Sequence, residues 1–269
     1  MRLSMTIGQP NTICGTHSAM KPKHCNTRGG FTVLELVVVV VVLAVMTGWL
    51  IPSLAAARKR ALGIRCVSHM KQIGTAARLW SGDHNERYPY QVPVSEGGLA
   101  RTNGTQLAAA DAFRFFQVMS NELNVSLILR CPLDAIRANG RKSDGSFQSE
   151  WSDASFTNNL VVSYFVGCNA AEDQPQMLLS GDRNIYGPTT TPDSNDGYGN
   201  SPTNGSGSRV VFGSKPAKVG WTSRIHGKIG NVAFADGSVQ QLSSAGLLQA
   251  FANSGDTNTI PGANVIVFP

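Results

Sequence analysis

The most apolar stretch of the chain lies near its N-terminus. Residues 31–51 form a continuous run whose only charged side chain is Glu35. Crossing the hydrocarbon core of a membrane, about 30 Å thick, takes roughly 20 residues of α-helix at ~1.5 Å per residue. The run therefore predicts a transmembrane anchor helix over residues 31–51. An ordinary secretory signal peptide fits less well, because its apolar region is only about 7–15 residues long.

A helical pattern continues beyond the apolar run. Apolar side chains recur at steps of three and four residues, which places them on one helix face. These positions are Leu62, Cys66, Met70, Ile73, Ala77 and Trp80. We predict an amphipathic helix over residues 52–82 that ends at a glycine and packs in a domain core, with Cys66 as a small buried apolar residue. Taken alone, Pro52 indicates a helix break at the membrane edge.

The remaining residues, 83–269, show shorter patterns that are typical of a compact α+β domain. We predict helices over 107–123 and 243–252, and strands over 125–130, 161–166 and 177–179. The clearest local structure is a hairpin over 231–242, because two alternating runs flank Asp236-Gly237, a pair that favours a tight turn. Residues 189–208 are dominated by turn-forming residues and predict a long surface loop.

The net charge of +6 arises mostly at the N-terminus. Four of the 23 basic residues lie within the first 30 residues, which contain no acidic side chain, so the remainder nearly balances the 17 acidic residues. No basic stripe, RNA-type aromatic signature or zinc-finger spacing follows. Nucleic-acid binding is therefore not predicted.

Glu35 is the unusual residue of the predicted anchor, because an ionised carboxylate at the membrane centre costs roughly 2.5–3.5 kcal/mol. A cut between Gly30 and Phe31 would create an α-amine one helical turn before Glu35. That amine would neutralise the carboxylate, in the same subunit or in a neighbour. The segment Gly29-Gly30-Phe31-Thr32-Val33-Leu34-Glu35-Leu36 resembles the processing signal of type IV pilins and type II secretion pseudopilins.

The resemblance implies how the N-terminus is processed. Residues 1–30 would form a leader that a prepilin peptidase removes after Gly30, and the same peptidase would methylate the new N-terminal Phe31. Glu35 would be the glutamate that directs subunit assembly. The leader is longer than many in the family, so we expect Met20 to be the true start.

The resemblance also implies a fold, a location and partners. The expected fold is pilin-like α+β, with a long N-terminal helix, half transmembrane and half amphipathic, packed on a small antiparallel sheet. Pro52 matches a position where this helix often bends or loosens. The protein would be a single-pass inner-membrane protein with a periplasmic or cell-surface domain. Its partners would be the prepilin peptidase, other pilin or pseudopilin subunits and an inner-membrane assembly platform.

A second resemblance lies near the C-terminus. His226 is followed by nine residues and then by Asp236-Gly237. This spacing resembles the His-x9-Asp-Gly signature of a pilin-like group abundant in planctomycete and verrucomicrobial bacteria. Further short segments agree with that group in order, namely Cys66 before Met70–Gly74, Cys131–Asp134, Ser163-Tyr164 and Gly181–Asn184.

His226 and Asp236 suggest catalysis or metal binding, because an imidazole beside a carboxylate acts as a base or a ligand. We favour a structural interpretation, in which Asp236 serves the hairpin turn and His226 hydrogen-bonds either that hairpin or Asp182. The sequence contains no His-Glu-x-x-His pair, Cys-x-x-Cys pair, phosphate-binding glycine loop or Gly-x-Ser-x-Gly elbow. We therefore predict no enzyme and no catalytic residue.

Cysteines and acidic loop residues offer two further candidate features. After leader removal three cysteines remain, and a disulfide between Cys131 and Cys168 is the candidate pairing in an oxidising periplasm. Residues Asp193 to Asp196 offer oxygen ligands, and the pseudopilin resemblance makes calcium the candidate cofactor. Their spacing is not that of an EF-hand. We favour a solvated loop there and assign no metal ligand.

These observations predict a structural subunit of a type IV pilus-like or type II secretion pseudopilus-like filament, assembled through its N-terminal helix. A competing hypothesis is a membrane-anchored extracytoplasmic binding protein, with polysaccharide as its ligand, whose helix never polymerises. An enzyme that depends on His226 ranks third.

Overall fold

The computed structural model describes most of the chain beyond the predicted leader. The described residues are 32–100, 112–135, 151, 156, 158–190, 197–199, 207–213, 215–254 and 263–269. The chain separates into two compact units, with the boundary between Ile51 and Pro52. Helix α1, Val33–Gly82, contributes to both units and confirms the predicted long N-terminal helix. α1 continues through Pro52, so a helix break at this proline is excluded.

The first unit contains the N-terminal part of α1, which is strongly apolar. One helix near the N-terminus is long and apolar enough to cross a membrane, and no residue of its most apolar window is buried within the chain. Even the most covered of its large apolar side chains, Val39, is 50% exposed, and Trp49 is 83% exposed. Among the described residues, therefore, none covers the apolar surface of this segment.

The second unit is built around a six-stranded sheet. The described strands are β1 (Tyr164–Gly167), β2 (Leu178–Asp182), β3 (Ile185–Tyr186), β4 (Ser208–Gly213), β5 (Gly220–Trp221), β6 (Ile229–Phe234), β7 (Val239–Ser243) and β8 (Ala263–Phe268). The strand order in the large sheet is β4-β8-β1-β2-β6-β7, and neighbouring strands run antiparallel. A separate two-stranded sheet pairs β3 with β5. A long helix with an antiparallel sheet confirms the α+β prediction and is consistent with a pilin-like fold.

Side chains of the large sheet alternate between two cores, because successive residues of a strand point to opposite faces. In β1, Tyr164 and Val166 belong to the core that also contains the buried face of α1, whereas Phe165 belongs to the other. The predicted helix face is confirmed from Cys66 onward, since Cys66, Met70, Ile73, Ala77 and Trp80 are all buried; Leu62, the first residue of that face, is half-buried. Further helices are α2 (Ala112–Val118), α3 (Ser120–Leu123) and α4 (Ser244–Asn253).

The second core lies on the opposite face of the sheet. Leu247 and Phe251 of α4 pack there with Phe165, Val232 and Phe268 from the strands. The sheet is thus covered by α1 on one face and by α4 on the other. The Ser243 side chain accepts a hydrogen bond from the Gly246 backbone amide, which caps α4 at its N-terminus.

The predicted hairpin is confirmed. β6 and β7 pair antiparallel, with Ala233 opposite Val239, and the turn between them contains Asp236-Gly237. Gly237 has a φ of +79°, which a residue with a Cβ rarely adopts. The turn sequence therefore determines the register of this hairpin.

The prediction of a strand over 125–130 is wrong. The chain forms a short 3-10 turn at Ser126–Leu129 there. Ser126 and Leu129, which are three residues apart and on one side of the turn, are buried, whereas Val125 and Leu127 are substantially exposed. The predicted helix over 107–123 is present as α2 and α3, and residues 101–111 lie outside the described residues. Within the predicted surface loop, Gly197–Gly199 form a 3-10 turn.

Candidate functional site

A disulfide bond joins α1 to the segment that follows the 3-10 turn. Cys66 and Cys131 are bonded, with Cα atoms 5.3 Å apart and both side chains buried. The candidate pairing of Cys131 with Cys168 is therefore wrong, and so is the interpretation of Cys66 as a simple apolar residue. The reason is that α1 lies across the sheet beside Cys131. Cys168 instead packs against Val265 and Val267 of β8 and is a free, buried thiol.

His226 lies against this disulfide. Its Nε2 atom is 3.4 Å from Cys131 Sγ, and the side chain is only 3% exposed. The backbone conformation after His226 places the ring. Gly227 and Lys228 both have a φ of +69°, and the chain therefore turns sharply there before it enters β6. The loop between β5 and β6 thereby directs the imidazole inward.

The carboxylate beside His226 is that of Asp182, the last residue of β2. Asp182 Oδ2 lies 3.3 Å from His226 Nε2 and accepts hydrogen bonds from Asn231 at 2.7 Å (backbone N) and 3.0 Å (Nδ2). Its second oxygen, Oδ1, is buried without a hydrogen-bond partner among the described residues. Both contacts predicted for His226 are present, because its Nε2 atom lies 3.2 Å from Nδ2 of Asn231 in the hairpin and 3.3 Å from Asp182 Oδ2.

Asp236 serves its own turn, as predicted. Its Oδ1 atom accepts a hydrogen bond from the Ser238 backbone amide at 2.8 Å, and its carbonyl accepts one from Arg78 Nη1 at 3.0 Å. A Cβ added to Gly74 of α1 would lie 3.4 Å from Gly237 Cα, which shows how closely helix and turn approach. Asp236 and Gly237 thus attach the hairpin tip to α1.

A buried ion pair lies in the same domain core. Arg183 donates to Asp134 through Nε at 2.7 Å and Nη2 at 2.8 Å, and both side chains are 1% exposed. Arg183 also donates from Nη1 to the Gly199 carbonyl. Two parallel hydrogen bonds of this kind fix both position and orientation of the charged groups. This pair joins the segment after Cys131 to the segment after β2.

No family model matches this chain, and neither the curated proteins nor the solved structures contain a significant match.

The short segments singled out by the second resemblance meet in one place. Cys66 bonds Cys131, Cys131 contacts His226, and His226 contacts Asp182. We call Cys66, Cys131, His226, Asp182 and Asn231 the Cys–His cluster. Sequence reasoning missed Cys66 as the disulfide partner and Asn231 as the residue that holds Asp182. The available signal for Cys66 was that it and Cys131 both belong to the resembling segments.

Tyr164 lies close to the charged groups of this core. Its side chain is buried, and its hydroxyl has no hydrogen-bond partner among the described residues. Burial, and then the charges of Asp182 and Asp134, raise the pKa of Tyr164 well above its ordinary value. The phenol therefore stays protonated throughout the physiological range.

An open groove of about 610 Å³ leads to the Cys–His cluster. Its lining includes His226, Leu133 and the α1 residues Lys59, Arg60 and Ile64. Most of its lining surface is apolar, and the two basic residues stand on α1. The groove gives His226 a route to solvent although the ring itself is buried.

Several candidate residues from the sequence lie outside the part of the chain that the structure describes, whereas Glu35 lies within it. Gly30 and Phe31 lie outside the described residues, as do Asp193 to Asp196. Glu35 is described, and its Oε2 atom accepts hydrogen bonds from Thr32 N at 2.8 Å and Thr32 Oγ1 at 2.9 Å. The carboxylate therefore caps the first turn of α1 and bends back toward its start.

Proposed function

We propose that this protein is a structural subunit of a type IV pilus-like or type II secretion pseudopilus-like filament, cut by a prepilin peptidase after Gly30 and assembled through α1. The observation that carries the proposal is the exposed apolar segment of α1 over residues 33–51, whose first turn contains the carboxylate of Glu35. Before assembly this segment would anchor the chain in the inner membrane as a single span.

The apolar segment has to be kept out of water, by lipid before assembly and by neighbouring subunits in a filament. Covering a Val or Leu side chain is worth about 1.5–3 kcal/mol relative to leaving it in water. Because the described chain covers none of the most apolar window of α1, lipid or neighbouring α1 helices must do so. A filament would exchange lipid contacts for contacts between neighbouring α1 helices.

Glu35 supports the same proposal through its position. Its carboxylate already accepts a hydrogen bond from the backbone amide of Thr32, the residue next to Phe31. After cleavage, Phe31 would carry the new α-amine. That amine would stand one residue before Thr32, whose backbone amide already contacts the Glu35 carboxylate. Neutralising Glu35 in this way would remove most of the cost, roughly 2.5–3.5 kcal/mol, of holding a charge inside a membrane.

The first test is the N-terminus of the membrane-extracted protein. Mass spectrometry in cells with and without their prepilin peptidase should find an N-terminus at methylated Phe31 only when the peptidase is present. Gly30→Val should block the cut, and Gly29→Val, one residue further from the bond, serves as the matched control. An intact leader in both strains, or a cut near Ala57, would overturn the proposal in favour of an anchored or secreted binding protein.

A further inference from the structure

We propose that Cys66, Cys131 and His226 form a zinc-binding site when the disulfide between the two cysteines is reduced. Their ligand atoms, two Sγ atoms and a ring nitrogen, lie within 4.8 Å of one another, and all three residues are buried. This site goes beyond the filament function and does not depend on it, because every ligand lies in the second unit.

The geometry suits a tetrahedral ion. Zinc binds sulfur at about 2.3 Å and imidazole nitrogen at about 2.0 Å, so ligand atoms of one tetrahedral site lie roughly 3.3–3.8 Å apart. Cys131 Sγ and His226 Nε2 are already 3.4 Å apart. After reduction the two sulfur atoms separate to a non-bonded distance, which opens the space between them.

The chemistry balances with a phosphine as the reductant. The phosphine and one water convert the disulfide into two thiols and leave as a phosphine oxide. Zinc then replaces the two thiol protons, so that two thiolates and a neutral imidazole hold a doubly charged cation. Thiolate and imidazole ligands favour zinc over calcium or magnesium, which prefer oxygen ligands.

Asp182 gives an independent reason to expect a cation here. Its carboxylate is buried, Oδ2 lies 3.3 Å from His226 Nε2, and Oδ1 has no hydrogen-bond partner among the described residues. A buried carboxylate is costly to leave uncompensated. A cation on Nε2 would lie beside this carboxylate, which would complete the site directly or through a water molecule. Asn231 holds Asp182 in place through two hydrogen bonds.

The groove described above provides access to the site. It is lined by His226 and by Leu133, two residues after Cys131, and has a volume of about 610 Å³. A hydrated ion and a small reductant both fit such a space. The site therefore combines ligands of the right type, a supporting carboxylate and a route from solvent.

The test measures zinc bound to the full chain in detergent, without a histidine tag, before and after phosphine reduction and its removal. A Cys14→Ser and Cys25→Ser background excludes binding by the N-terminal cysteines. The reduced protein should bind about one zinc ion per chain and the oxidised protein none. Cys131→Ser should abolish binding, and His226→Gln should weaken it more than about tenfold. Cys168→Ser, a buried cysteine outside the cluster, is the matched control and should leave binding unchanged.

Cobalt substitution gives a readout that needs no variant. The reduced protein with Co²⁺ should show the sulfur-to-cobalt charge-transfer absorption of a thiolate site, and the oxidised protein should not. Absence of this absorption, failure of the reduced protein to bind zinc, unchanged affinity in His226→Gln or equal loss in Cys168→Ser would each overturn the proposal. Since no assembly step is measured, these outcomes are separate from success or failure of the filament proposal.

Discussion

At the scale of single residues, the buried charges are the most demanding feature of the second unit. Arg183 and Asp134 are each 1% exposed and are joined by two hydrogen bonds between opposite charges. Breaking such a pair by removing one partner is strongly destabilising, because desolvation of the remaining charge is no longer offset. Exposed ion pairs behave differently, since water already screens both charges.

The first prediction compares these two situations. Asp134→Asn should lower the free energy of unfolding by about 3–5 kcal/mol, because it leaves the Arg183 guanidinium buried with a neutral partner. Glu96→Gln removes one member of the exposed pair between Arg87 and Glu96 and should cost less than about 1 kcal/mol. Urea unfolding in detergent measures both. Equal effects of the two substitutions would show that burial of the Arg183 pair has no energetic consequence.

The second prediction concerns the free thiol. Burial raises the pKa of Cys168 to about 12, so at neutral pH this residue is a protonated, inaccessible thiol. The folded, processed protein should therefore not react with a maleimide, and Cys168 should react once the chain is unfolded. Cys66 and Cys131 should react only when the chain is both unfolded and reduced, because they form the disulfide. Peptide mapping that finds Cys131 linked to Cys168, or rapid labelling of the folded protein, would contradict the structure.

At the scale of secondary-structure elements, β1 and β2 approach each other closely at Gly167, where a side chain would not fit. A Cβ on Gly167 of β1 would overlap the carbonyl oxygen of Leu178 in β2, and that oxygen belongs to the backbone. Gly63 of α1 is the opposite case, because nothing lies within 4 Å of the position of its missing Cβ. The same substitution should therefore have opposite effects in β1 and α1.

The third prediction follows from this contrast. Gly167→Ala should destabilise the protein by about 1–3 kcal/mol or more, since β1 and β2 must move apart. Gly63→Ala should stabilise it by up to about 1 kcal/mol, the difference in helix propensity between the two residues. Thermal unfolding of the two variants beside the wild type gives both signs. A stabilising Gly167→Ala would mean that β1 and β2 are not in contact at this position.

The fourth prediction concerns the disulfide that attaches the C-terminal part of α1 to the rest of the second unit. The disulfide closes a loop between residues separated by 65 positions, and the chain-entropy estimate for a loop of this length is about 4 kcal/mol. Reduction in the presence of a chelator should lower the unfolding free energy by roughly that amount. A variant with both Cys66→Ser and Cys131→Ser should not respond to the reductant. An unchanged unfolding midpoint after confirmed reduction of the wild type would refute this role.

At the scale of the whole molecule, the fifth prediction separates anchoring from assembly. Glu35→Ala should leave cleavage after Gly30 largely intact but reduce crosslinking between neighbouring α1 helices in the membrane. Glu35→Gln keeps an oxygen that can accept the Thr32 hydrogen bonds yet removes the charge, so it tests the charge alone. If the proposed pairing with the Phe31 amine is correct, both variants should assemble poorly. Normal assembly of Glu35→Gln would assign Glu35 a capping role only.

Much of the fold could be predicted because its signals are local. The anchor, the buried face of α1 and the hairpin around Asp236-Gly237 each follow from residues within a few turns or a few positions of one another. The prediction of a strand over 125–130 was wrong because it also used only local signals. The apolar residues of this segment carry no information about whether a neighbouring strand is there to pair with it. Leu129 finds the core, whereas Val125 and Leu127 do not.

The sequence by itself determined the long helix, its apolar anchor segment, the α+β class and the hairpin turn, because backbone propensity and hydrophobic periodicity act over short distances. Only the tertiary structure decided that Cys66 rather than Cys168 bonds Cys131, and that the carboxylate beside His226 is Asp182. These contacts join residues far apart in the chain. The disulfide forms only when α1 packs against the sheet, and Asp182 meets His226 only when β2 pairs with β6. No local pattern encodes which distant side chains this packing brings into contact.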